Sequence, residues 1–539
     1  MTLNAIQRSN LKRPAAGRSC EAERKVSAER LLSRMVRIRA AVIRESQAIV
    51  EDWKLKVARR SFLPGAINLA QYLAFRRHDL SDLQHHLSAF GLTSLGRSEG
   101  RVMATLDAVC ARLAELAGQP AVSHPVPLAF RKGKQSLRRE QARIFGSDAH
   151  GPSTRIMVTL PTRAGQDRAL VADIIRAGAD CLRINCAHGG PEIWAAMIEN
   201  SRAAAAEQDR ACRILMDIAG PKCRIAEFFA PNKTRIYRGD LVMLAGRTPT
   251  QPKAGDIVIR VTFPEVLDQL EIGARVFIDD GRIAARVVGI EPGGAMLRVE
   301  QARTKGEKLR LNKGLNFPDT ALDLPSLTEK DLRDLDFVAE NADVVGFSFV
   351  QRPSDITLIR RELAARRDGR PVQPLVIKIE TGLAVRNLPD LIVHGAGQQP
   401  LAVMIARGDL AVELGFERIG EVQENILWLC EAAHVPVIWA TQVLAGMVKE
   451  GAPSRAEVTD AAMGQRAECV MLNKGPFIVE AVRFLDTVLH RMDRHQLKKS
   501  ARLTPLELWM EPQGARRRKR LVLKHSSLAT DSPRTTACG

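Results

Sequence analysis

Residues 374–410 read PLVIKIETGLAVRNLPDLIVHGAGQQPLAVMIARGDL. Two aliphatic runs in this stretch, Leu375–Ile379 and Leu401–Ile405, have the length and composition of buried parallel strands. Charged residues stand where these runs end, namely Lys378, Glu380, Arg407 and Asp409. A buried strand gains no stability from a lysine and two carboxylates at its exit, whereas metal-assisted phosphoryl transfer needs a cation and acidic metal ligands. The stretch therefore predicts parallel strands whose carboxyl ends carry reactive groups.

Strands and helices alternate along the chain from Thr154 to about Met492, which is typical of parallel α/β structure. Eight strands are predicted, and they are Ile156–Leu160, Cys181–Asn185, Ile214–Asp217, Val344–Ser348, Leu375–Ile379, Leu401–Ile405, Pro436–Trp439 and Cys469–Leu472. The last helix of the series is predicted at Val479–Met492. Because eight strand–helix units close most economically on themselves, we predict an α/β fold of the TIM (β/α)8 barrel type.

After Arg224 the pattern changes to short alternating runs separated by glycine and proline, such as TRIYRGDLVMLAG and GARVFIDDGRIAARVVGI. This pattern predicts a small β-rich domain. We place this lid domain at residues 226–320, inserted after the third strand. The barrel then comprises residues 154–225 and 321–495.

The chain outside the barrel falls into four segments. Apolar residues recur at three- and four-residue spacing over residues 27–117, which predicts an N-terminal all-α domain whose role the sequence does not indicate. Residues 1–26 are polar and basic and are predicted to be disordered. Residues 118–153 have the composition of a linker with one short basic helix, and residues 496–539 form a basic tail.

Composition excludes several classes of protein. The 539 residues are 45% hydrophobic and contain no apolar run of about 20 residues, so we expect no membrane span. The nine cysteines include no CxxC pair, and the N-terminus lacks the apolar segment of a secretory signal. We therefore expect a cytoplasmic protein without a disulfide framework. The net charge of +19 comes largely from the two ends of the chain, and with only 4% aromatic residues we expect no specific nucleic-acid binding.

Polar residues stand at the carboxyl ends of several predicted strands, where the loops of a TIM barrel converge on one mouth. They are Arg183, Asn185, Asp217, Ser348, Lys378, Glu380, Asp409 and Thr441. A single polar residue in such a loop is ordinary because loops are solvated. Their delivery to one mouth by successive strands predicts an active site.

The segments that carry these residues resemble the pyruvate kinase family, and they follow its order from Thr154 to about Met492. They are LRINCAHG, LMDIAGPKCRI, VFIDDGRI, KGLNFPDTALDLPSLTEKDLRDLDF, GFSFVQRPSDI, VIKIETGLAVRNL, MIARGDLAVELG and PVIWATQVLAGMVKEGAPSRAEVTDAA. The resemblance implies a barrel with an inserted lid that transfers the phosphoryl group of phosphoenolpyruvate to ADP. It also implies a possible homo-oligomer. Typical family members continue into a C-terminal effector domain, for which the residues after Met492 are too few.

The resemblance implies a metal and roles for the residues around the transferred group. Glu380 and Asp409 would bind the essential Mg²⁺, with Mn²⁺ as a possible substitute. Lys378 would neutralise the charge that develops on the migrating phosphoryl group, and Arg183 would hold phosphate oxygens. Thr441 would help to deliver the proton that converts the enolate to pyruvate.

Two further groups of contacts follow from the same resemblance. The backbone amides near Gly408 and Asp409 would bind the substrate carboxylate at the start of a helix. The residues implied around the nucleotide are Asn185, His188, Arg224 and Lys313, with Asp280 as a weaker candidate in the lid.

One departure from the family concerns its monovalent ion. Family members that require K⁺ coordinate it through an asparagine, a serine and an aspartate, and these positions read Asn185, Ala187 and Asp217 here. Ala187 supplies no side-chain oxygen. The family's GPE segment reads Gly-Pro-Lys here, with Lys222 in place of the glutamate, and the resemblance includes members with this lysine that work without K⁺. Because a tethered ammonium supplies the charge of the ion, we predict that Lys222 replaces K⁺ and that K⁺ is not required.

Two other departures keep alternative functions open. The loop after the first strand contains Arg163, and the loop after the eighth strand contains Lys474, where the family's segment has an acidic residue and not a basic one. A barrel of lyase type that binds phosphoenolpyruvate or pyruvate is one alternative. A catalytically weak regulator that binds a metabolite is another.

Overall fold

A computed structural model describes residues 16–146, 153–230, 235–246, 257–291, 293–498 and 500–501. Residues 1–15, within the segment predicted to be disordered, and most of the predicted basic tail lie outside the described residues. None of the helices in the described part of the chain is both long and apolar enough to cross a membrane.

Eight parallel strands close into a barrel, which confirms the predicted fold class. The strands are β1 (Arg155–Thr159), β2 (Cys181–Asn185), β3 (Arg213–Asp217), β11 (Val344–Phe347), β12 (Leu375–Ile379), β13 (Leu401–Ala406), β14 (Val437–Ala440) and β15 (Cys469–Leu472). Around the barrel the order is β1-β15-β14-β13-β12-β11-β3-β2, and seven further strands lie between β3 and β11 in sequence. The chain therefore leaves the barrel after β3 and returns to it at β11.

Helices cover the outside of the barrel, and each barrel strand is followed by one of them. The helix that follows β3 comes after the lid in sequence. They are α6 (Arg168–Arg176), α7 (Pro191–Glu207), α8 (Glu329–Asn341), α9 (Pro353–Ala365), α11 (Leu388–Ala396), α13 (Ile419–Ala433), α15 (Arg455–Gly464) and α16 (Ile478–His495). Three short helices lie at strand exits, namely α10 (Gly382–Arg386), α12 (Arg407–Leu414) and α14 (Ala445–Glu450). Side chains such as Val171, Ile359 and Leu485 are fully buried between the helices and the strands. Burial of both faces explains why the strands are almost entirely apolar.

The lid is a seven-stranded sheet between β3 and β11. Its strands are β4 (Ile225–Phe229), β5 (Leu241–Ala245), β6 (Val258–Val261), β7 (Arg275–Ile278), β8 (Ile283–Glu291), β9 (Gly294–Gln301) and β10 (Leu315–Asn316). Apart from the parallel pair β5 and β6, the strand pairs are antiparallel. The lid has its own hydrophobic core, which includes Leu244, Val276 and Leu297. A separate two-stranded ribbon, β16 (Gln496–Leu497) and β17 (Ser500–Ala501), follows α16.

From Ala16 onwards, where the structure describes it, the N-terminal region contains four α-helices, and its start differs from the predicted boundary. They are α1 (Ala16–Lys56), α2 (Leu63–Phe75), α3 (Ser81–Ala89) and α4 (Val102–Leu116). Helix α1 begins at Ala16, so residues 16–26 of the segment predicted to be disordered form the start of this helix. The first turns carry no apolar pattern, and residues 22–26 are exposed. Alanine, glutamate, arginine and lysine extend a helix by intrinsic propensity, without burial.

The segment predicted as a linker contains the helix that closes the bottom of the barrel. This helix, α5, spans Lys132–Phe145, and its last residues, Ile144 and Phe145, are buried among residues of the barrel interior such as Met157 and Val376. The predicted short basic helix is thus present, but it belongs to the core. Its exposed face is basic, and only its end is strongly apolar, which is why composition indicated a linker.

Candidate active site at the barrel mouth

The candidate catalytic residues meet because parallel strands bring their carboxyl ends to one rim. Asn185 lies beside Asp217 in the register of β2 and β3, and Asp217 lies beside Gly346 of β11. A Cβ atom at Gly346 would approach the Asp217 carboxylate to 2.7 Å. The glycine therefore makes room for a buried carboxylate at the centre of the rim.

Arg183 is anchored to that carboxylate. Its side chain donates from Nε to Asp217 Oδ2 over 2.9 Å, and from Nη1 to Thr159 Oγ1 over 3.0 Å. Asp217 is 1% exposed, and Arg183 is 8% exposed. The structure thus fixes a planar cation at the mouth, which is the arrangement that suits phosphate oxygens.

Lys378 reaches the same cluster from β12. Its ammonium lies 3.5 Å from Asp217 Oδ2 and 3.1 Å from Glu380 Oε1, and it donates to Ser348 Oγ over 2.7 Å. Burial acts to lower the pKa of Lys378, but the carboxylates of Asp217 and Glu380 outweigh it and raise the pKa. Burial likewise acts to raise the pKa of Asp217, but Lys378 and Arg183 lower it. Lys378 and Asp217 therefore stay charged at neutral pH.

Glu380 and Asp409 form the acidic side of the mouth. The backbone N–H of Phe349 donates to Glu380 Oε2 over 2.6 Å and fixes that carboxylate. Burial, only partly offset by Lys378, raises the pKa of Glu380, and the Asp409 carboxylate adds to the increase. A divalent cation between the two carboxylates would remove this repulsion. Within the described part of the chain, no group of three or more His, Cys, Asp or Glu side chains is arranged to hold a metal. Two carboxylates suit Mg²⁺, which takes further oxygens from substrate and water.

Lys222 lies on the acidic side and not among the positions that match the K⁺ ligands. Its ammonium is 2.6 Å from Asp409 Oδ1, and none of its contacts with described residues is to Asn185 or Asp217. The backbone brings it there through a sharp turn at Gly220, where φ is +69° and a Cβ would meet the Ser348 side chain at 2.9 Å. Asn185 uses its side-chain oxygen to accept from the backbone N–H of Ala187 over 3.1 Å.

Thr441 and Gly408 contact each other directly. The backbone N–H of Gly408 donates to Thr441 Oγ1 over 2.9 Å, so this amide, predicted to bind the substrate carboxylate, already has a partner. Thr441 has a φ of 64°, which is uncommon for a non-glycine residue and strained for a β-branched one. Such strained residues concentrate at functional sites.

Arg407 holds this strained loop in place, a role that the sequence did not indicate. Its guanidinium donates to the carbonyls of Ala440 and Thr441 over 2.8 Å each. It also forms an ion pair with Asp460 and lies 4.5 Å from the ring centroid of Trp439. Arg407 is therefore a positioning residue for Thr441.

A basic cluster surrounds His188 on the nucleotide side. Burial lowers the pKa of His188, and the positive charges of Lys474 and Arg224 lower it further, followed by those of Arg183 and Lys330. The Lys330 ammonium, which sequence reasoning missed, donates to the Cys186 carbonyl over 2.8 Å. Several cations around a neutral histidine form a surface suited to the phosphates of a nucleotide.

Lys313 and Arg224, which were predicted to contact the nucleotide, bind residues of the lid. Lys313 is paired with Asp279 Oδ1 at 2.8 Å, and Arg224 donates to the Asn312 carbonyl over 2.9 Å. Asp279 and Asp280 both have positive φ values, 54° and 56°, in the turn that joins β7 to β8. The lysine and arginine are thus held by lid residues, and among the described residues neither is paired with Asp217 or Glu380.

Asn316 and Glu413 extend the site behind Asp409 and were also missed. Asn316 Nδ2 is 3.1 Å from Glu413 Oε1 and 3.4 Å from Asp409 Oδ1. Burial raises the pKa of Glu413 to about 7. Both residues line a cavity of about 270 Å³ between lid and barrel. A signal was present in the sequence, because Asp409 and Glu413 are four residues apart and share one helix face.

Comparison with known proteins shows which family this chain resembles. Residues 152–482 match the family described as pyruvate kinase, barrel domain. The chain is 34% identical over 356 residues to a pyruvate kinase of Methylorubrum extorquens, which covers 64% of this chain and 69% of that protein. It is 31% identical over 376 residues to human pyruvate kinase PKLR, which covers 65% of this chain and 63% of that protein. A pyruvate kinase of Mycobacterium intracellulare is 32% identical over 342 residues, covering 62% and 69% of the two chains. The chain thus spans slightly less than two thirds of the human relative's length and slightly more of the other two.

Proposed function

The chain belongs to the pyruvate kinase family of phosphotransferases, and from this premise we propose that it transfers the phosphoryl group of phosphoenolpyruvate to ADP, giving pyruvate and ATP. The single observation that carries the proposal is the position of Lys378. Its ammonium is held between Asp217, Glu380 and Ser348 at the barrel mouth. Three fixed oxygens orient it before any substrate arrives. A preorganised cation of this kind stabilises the charge of a phosphoryl group in transit without having to reorganise.

Arg183 supports the same step from the neighbouring strand. Its hydrogen bonds to Asp217 and Thr159 leave the guanidinium little freedom to turn. A phosphate that enters the mouth therefore meets two fixed cations. Together they would hold the phosphoryl group of phosphoenolpyruvate in line with an acceptor oxygen of ADP.

Glu380 and Asp409 are the residues that would hold Mg²⁺, or Mn²⁺ in its place. The ion would supply positive charge to the oxygens of the substrate and of the transferred group. The protein's own part is to fix the Glu380 carboxylate through the Phe349 amide and to keep Lys222 beside Asp409.

Thr441 is proposed to assist protonation of the enolate left after transfer. Its hydroxyl accepts from the Gly408 amide, and this hydrogen bond orients the hydroxyl at the mouth. Arg407 keeps the strained loop from relaxing by binding two successive carbonyls. The proton donor is thereby held at one position relative to the substrate.

We also propose that the reaction does not require K⁺. Ala187 offers no side-chain oxygen, and the Asn185 oxygen already accepts from the Ala187 amide. Asp217, the third position, is occupied by Arg183 and Lys378. Lys222 supplies a positive charge to the mouth beside Asp409. This charge lies at a different place from the K⁺ ion that Lys222 is proposed to replace.

A coupled assay with phosphoenolpyruvate, ADP and Mg²⁺, run with and without K⁺, tests the proposal. We expect pyruvate and ATP in equal amounts at the same rate in both buffers. Replacement of Lys378 by methionine is expected to lower kcat by about a hundredfold or more. Pyruvate formed without ATP would indicate a lyase or phosphatase instead, and no turnover in either buffer would favour a metabolite-binding regulator. If turnover occurs only in the buffer that contains K⁺, the proposal of K⁺ independence is disproved, but the proposal of kinase activity is not.

A further inference from the structure

A second cavity lies on the far side of the barrel from the mouth. It has a volume of about 140 Å³ and is formed where the helical region meets the barrel. On the barrel side it is lined by His434, which precedes β14, and by Glu468, which precedes β15. The amino ends of the strands form this face, so the cavity is separate from the candidate active site. The opposite wall comes from residues 97–101 and from α5.

Three arginines in the lining lack acidic partners. Arg97, Arg101 and Arg138 all line the cavity. Considering every residue that the structure describes, none of the three forms an ion pair with a carboxylate. The neighbouring Arg59 and Arg143, by contrast, both pair with Glu140. Arg101 instead lies 5.9 Å from the ring centroid of Phe130. The lining as a whole is net positive, because it holds five cationic side chains (Arg97, Arg101, Lys134, Arg138 and Lys498) and three carboxylates (Glu99, Glu431 and Glu468).

The floor of the cavity contains a buried polar atom without a partner. Gln465 is 2% exposed, and its Nε2 donates to Asp493 Oδ1 over 2.6 Å. Its Oε1 has no hydrogen-bond partner among the described groups. Nearby, Lys498 is paired with Glu468 at 2.6 Å, so this ammonium is already neutralised. An unpartnered buried acceptor costs free energy unless something donates to it.

We propose that this cavity binds a small anion that carries phosphate or carboxylate groups together with at least one hydroxyl. Guanidinium groups bind the oxygens of both kinds of anion in a bidentate manner, and three of them meet at this wall. The hydroxyl would donate to Gln465 Oε1 at the floor. Such a ligand contacts the helical region, α5 and the barrel together, so its binding stabilises the folded chain.

Titration calorimetry on the full chain tests the proposal with two matched pairs of probes in Mg²⁺-free buffer. Citrate has one hydroxyl that tricarballylate lacks. Glycerol 3-phosphate has a glycerol group with hydroxyls that inorganic phosphate lacks. We expect the hydroxyl-bearing member of at least one pair to bind, and to bind more tightly than its partner. The pair that shows binding identifies the anionic group as carboxylate or phosphate.

The variants Arg138→Gln and Arg139→Gln separate the cavity from general surface charge. Both arginines are exposed on α5, but only Arg138 lines this cavity. Loss of one charge-assisted contact should lower the affinity for the probe about tenfold in Arg138→Gln. Arg139→Gln should bind the probe with the affinity of the parent. Arg101→Gln provides a second variant, and unchanged unfolding midpoints confirm that each variant is folded.

Hydrogen exchange with mass spectrometry locates the bound probe. Protection is expected at residues 97–101 and 130–141. The proposal is overturned if no probe binds, if Arg138→Gln and Arg139→Gln bind equally, or if protection occurs only at residues 378–409. None of these measurements depends on turnover, so they are independent of the proposed kinase activity.

Discussion

At the scale of single residues, Asp217 is the group on which the mouth depends. One carboxylate oxygen, Oδ2, faces both the Arg183 guanidinium and the Lys378 ammonium. Because Arg183 and Asp217 are buried and the Lys378 side chain is only 13% exposed, removal of any one leaves an unbalanced charge that costs several kcal/mol. The side chains proposed to bind substrate are therefore also needed for folding, and loss of activity in their variants must be read beside a measurement of stability.

Glu413 should make stability depend on pH. Its pKa in the folded chain is about 7, against an ordinary value of 4.5. Between these values the folded state keeps a proton that the unfolded state has lost, so stability is greatest below pH 4.5 and falls as pH rises towards 7. The full effect is about 3 kcal/mol. The variant Glu413→Gln cannot ionise, so it should match the parent at low pH and exceed it in free energy of unfolding at pH 8.

Urea unfolding at a series of pH values measures this difference. Glu417→Gln is the matched control, because Glu417 is exposed and lies four residues further along the chain, beyond the end of α12. Its curve should run parallel to that of the parent. If the Glu413→Gln curve also runs parallel to the parent, Glu413 does not hold its proton at neutral pH.

Residue identities at the mouth could be predicted from the sequence, but their pairing could not. Strand ends fixed which side chains reach the rim, and the structure brings Arg183, Lys378 and Glu380 together. The partner of Lys222 depends on a turn at Gly220 that carries its ammonium to Asp409. The partner of the Gly408 amide depends on the left-handed backbone at Thr441. Neither conformation leaves a pattern in hydrophobicity or spacing.

At the scale of elements, α5 shows how a short helix can be structural despite its composition. Phe145 is 1% exposed and fills the bottom of the barrel beside Met157 and Cys181. The sulfhydryl of Cys181 lies 3.6 Å from the Phe145 carbonyl. A (β/α)8 barrel has a packed interior and not a pore, so the lower end needs a cover.

Replacement of Phe145 by alanine should therefore destabilise the whole barrel. Loss of a buried phenylalanine costs about 3–5 kcal/mol because it leaves a cavity. Phe416→Ala removes the same side chain at a position that is 67% exposed, and its effect should stay within about 0.5 kcal/mol. Denaturant unfolding followed by circular dichroism compares the two. Equal effects would mean that α5 is not part of the barrel core.

Element boundaries were predictable where burial sets the pattern and not elsewhere. The barrel strands lie within a residue or two of their predicted ends because both faces are buried, as at Leu375–Ile379. The start of α1 at Ala16 could not be read from hydrophobic spacing, since residues 22–26 are exposed. In α5 the buried positions are too few to outweigh its basic residues.

At the scale of the whole molecule, the helical region and the barrel share one hydrophobic core. A single cluster of buried residues includes Leu69 of α2, Leu106 of α4 and Ile426 of α13. Asn68 adds a polar link, because its Nδ2 donates to the Ala432 carbonyl over 2.8 Å. Burial on this scale predicts one cooperative unfolding unit. A homo-oligomer, implied by the family resemblance, stays a prediction.

The close approach of α2 to α13 provides a test of that cooperativity. Gly65 of α2 has no space for a side chain, since a Cβ there would overlap the carbonyl oxygen of Ala433. Gly65→Ala should force the two helices apart and cost about 1–3 kcal/mol. Because the core is continuous, calorimetry should show one transition at a lower Tm, with hydrogen exchange accelerated in both the helical region and the barrel.

Gly420→Ala on α13 serves as the matched control, because a Cβ at Gly420 would meet no atom within 4 Å and the residue is exposed. An alanine there replaces glycine inside a helix, so it should be neutral or stabilising by up to about 1 kcal/mol. Two separate transitions in Gly65→Ala, with the barrel melting as in the parent, would show that the helical region is an independent domain. In that case the cavity between them would open and close with domain motion, and its affinity for an anion would fall in Gly65→Ala while Gly420→Ala kept the parent value.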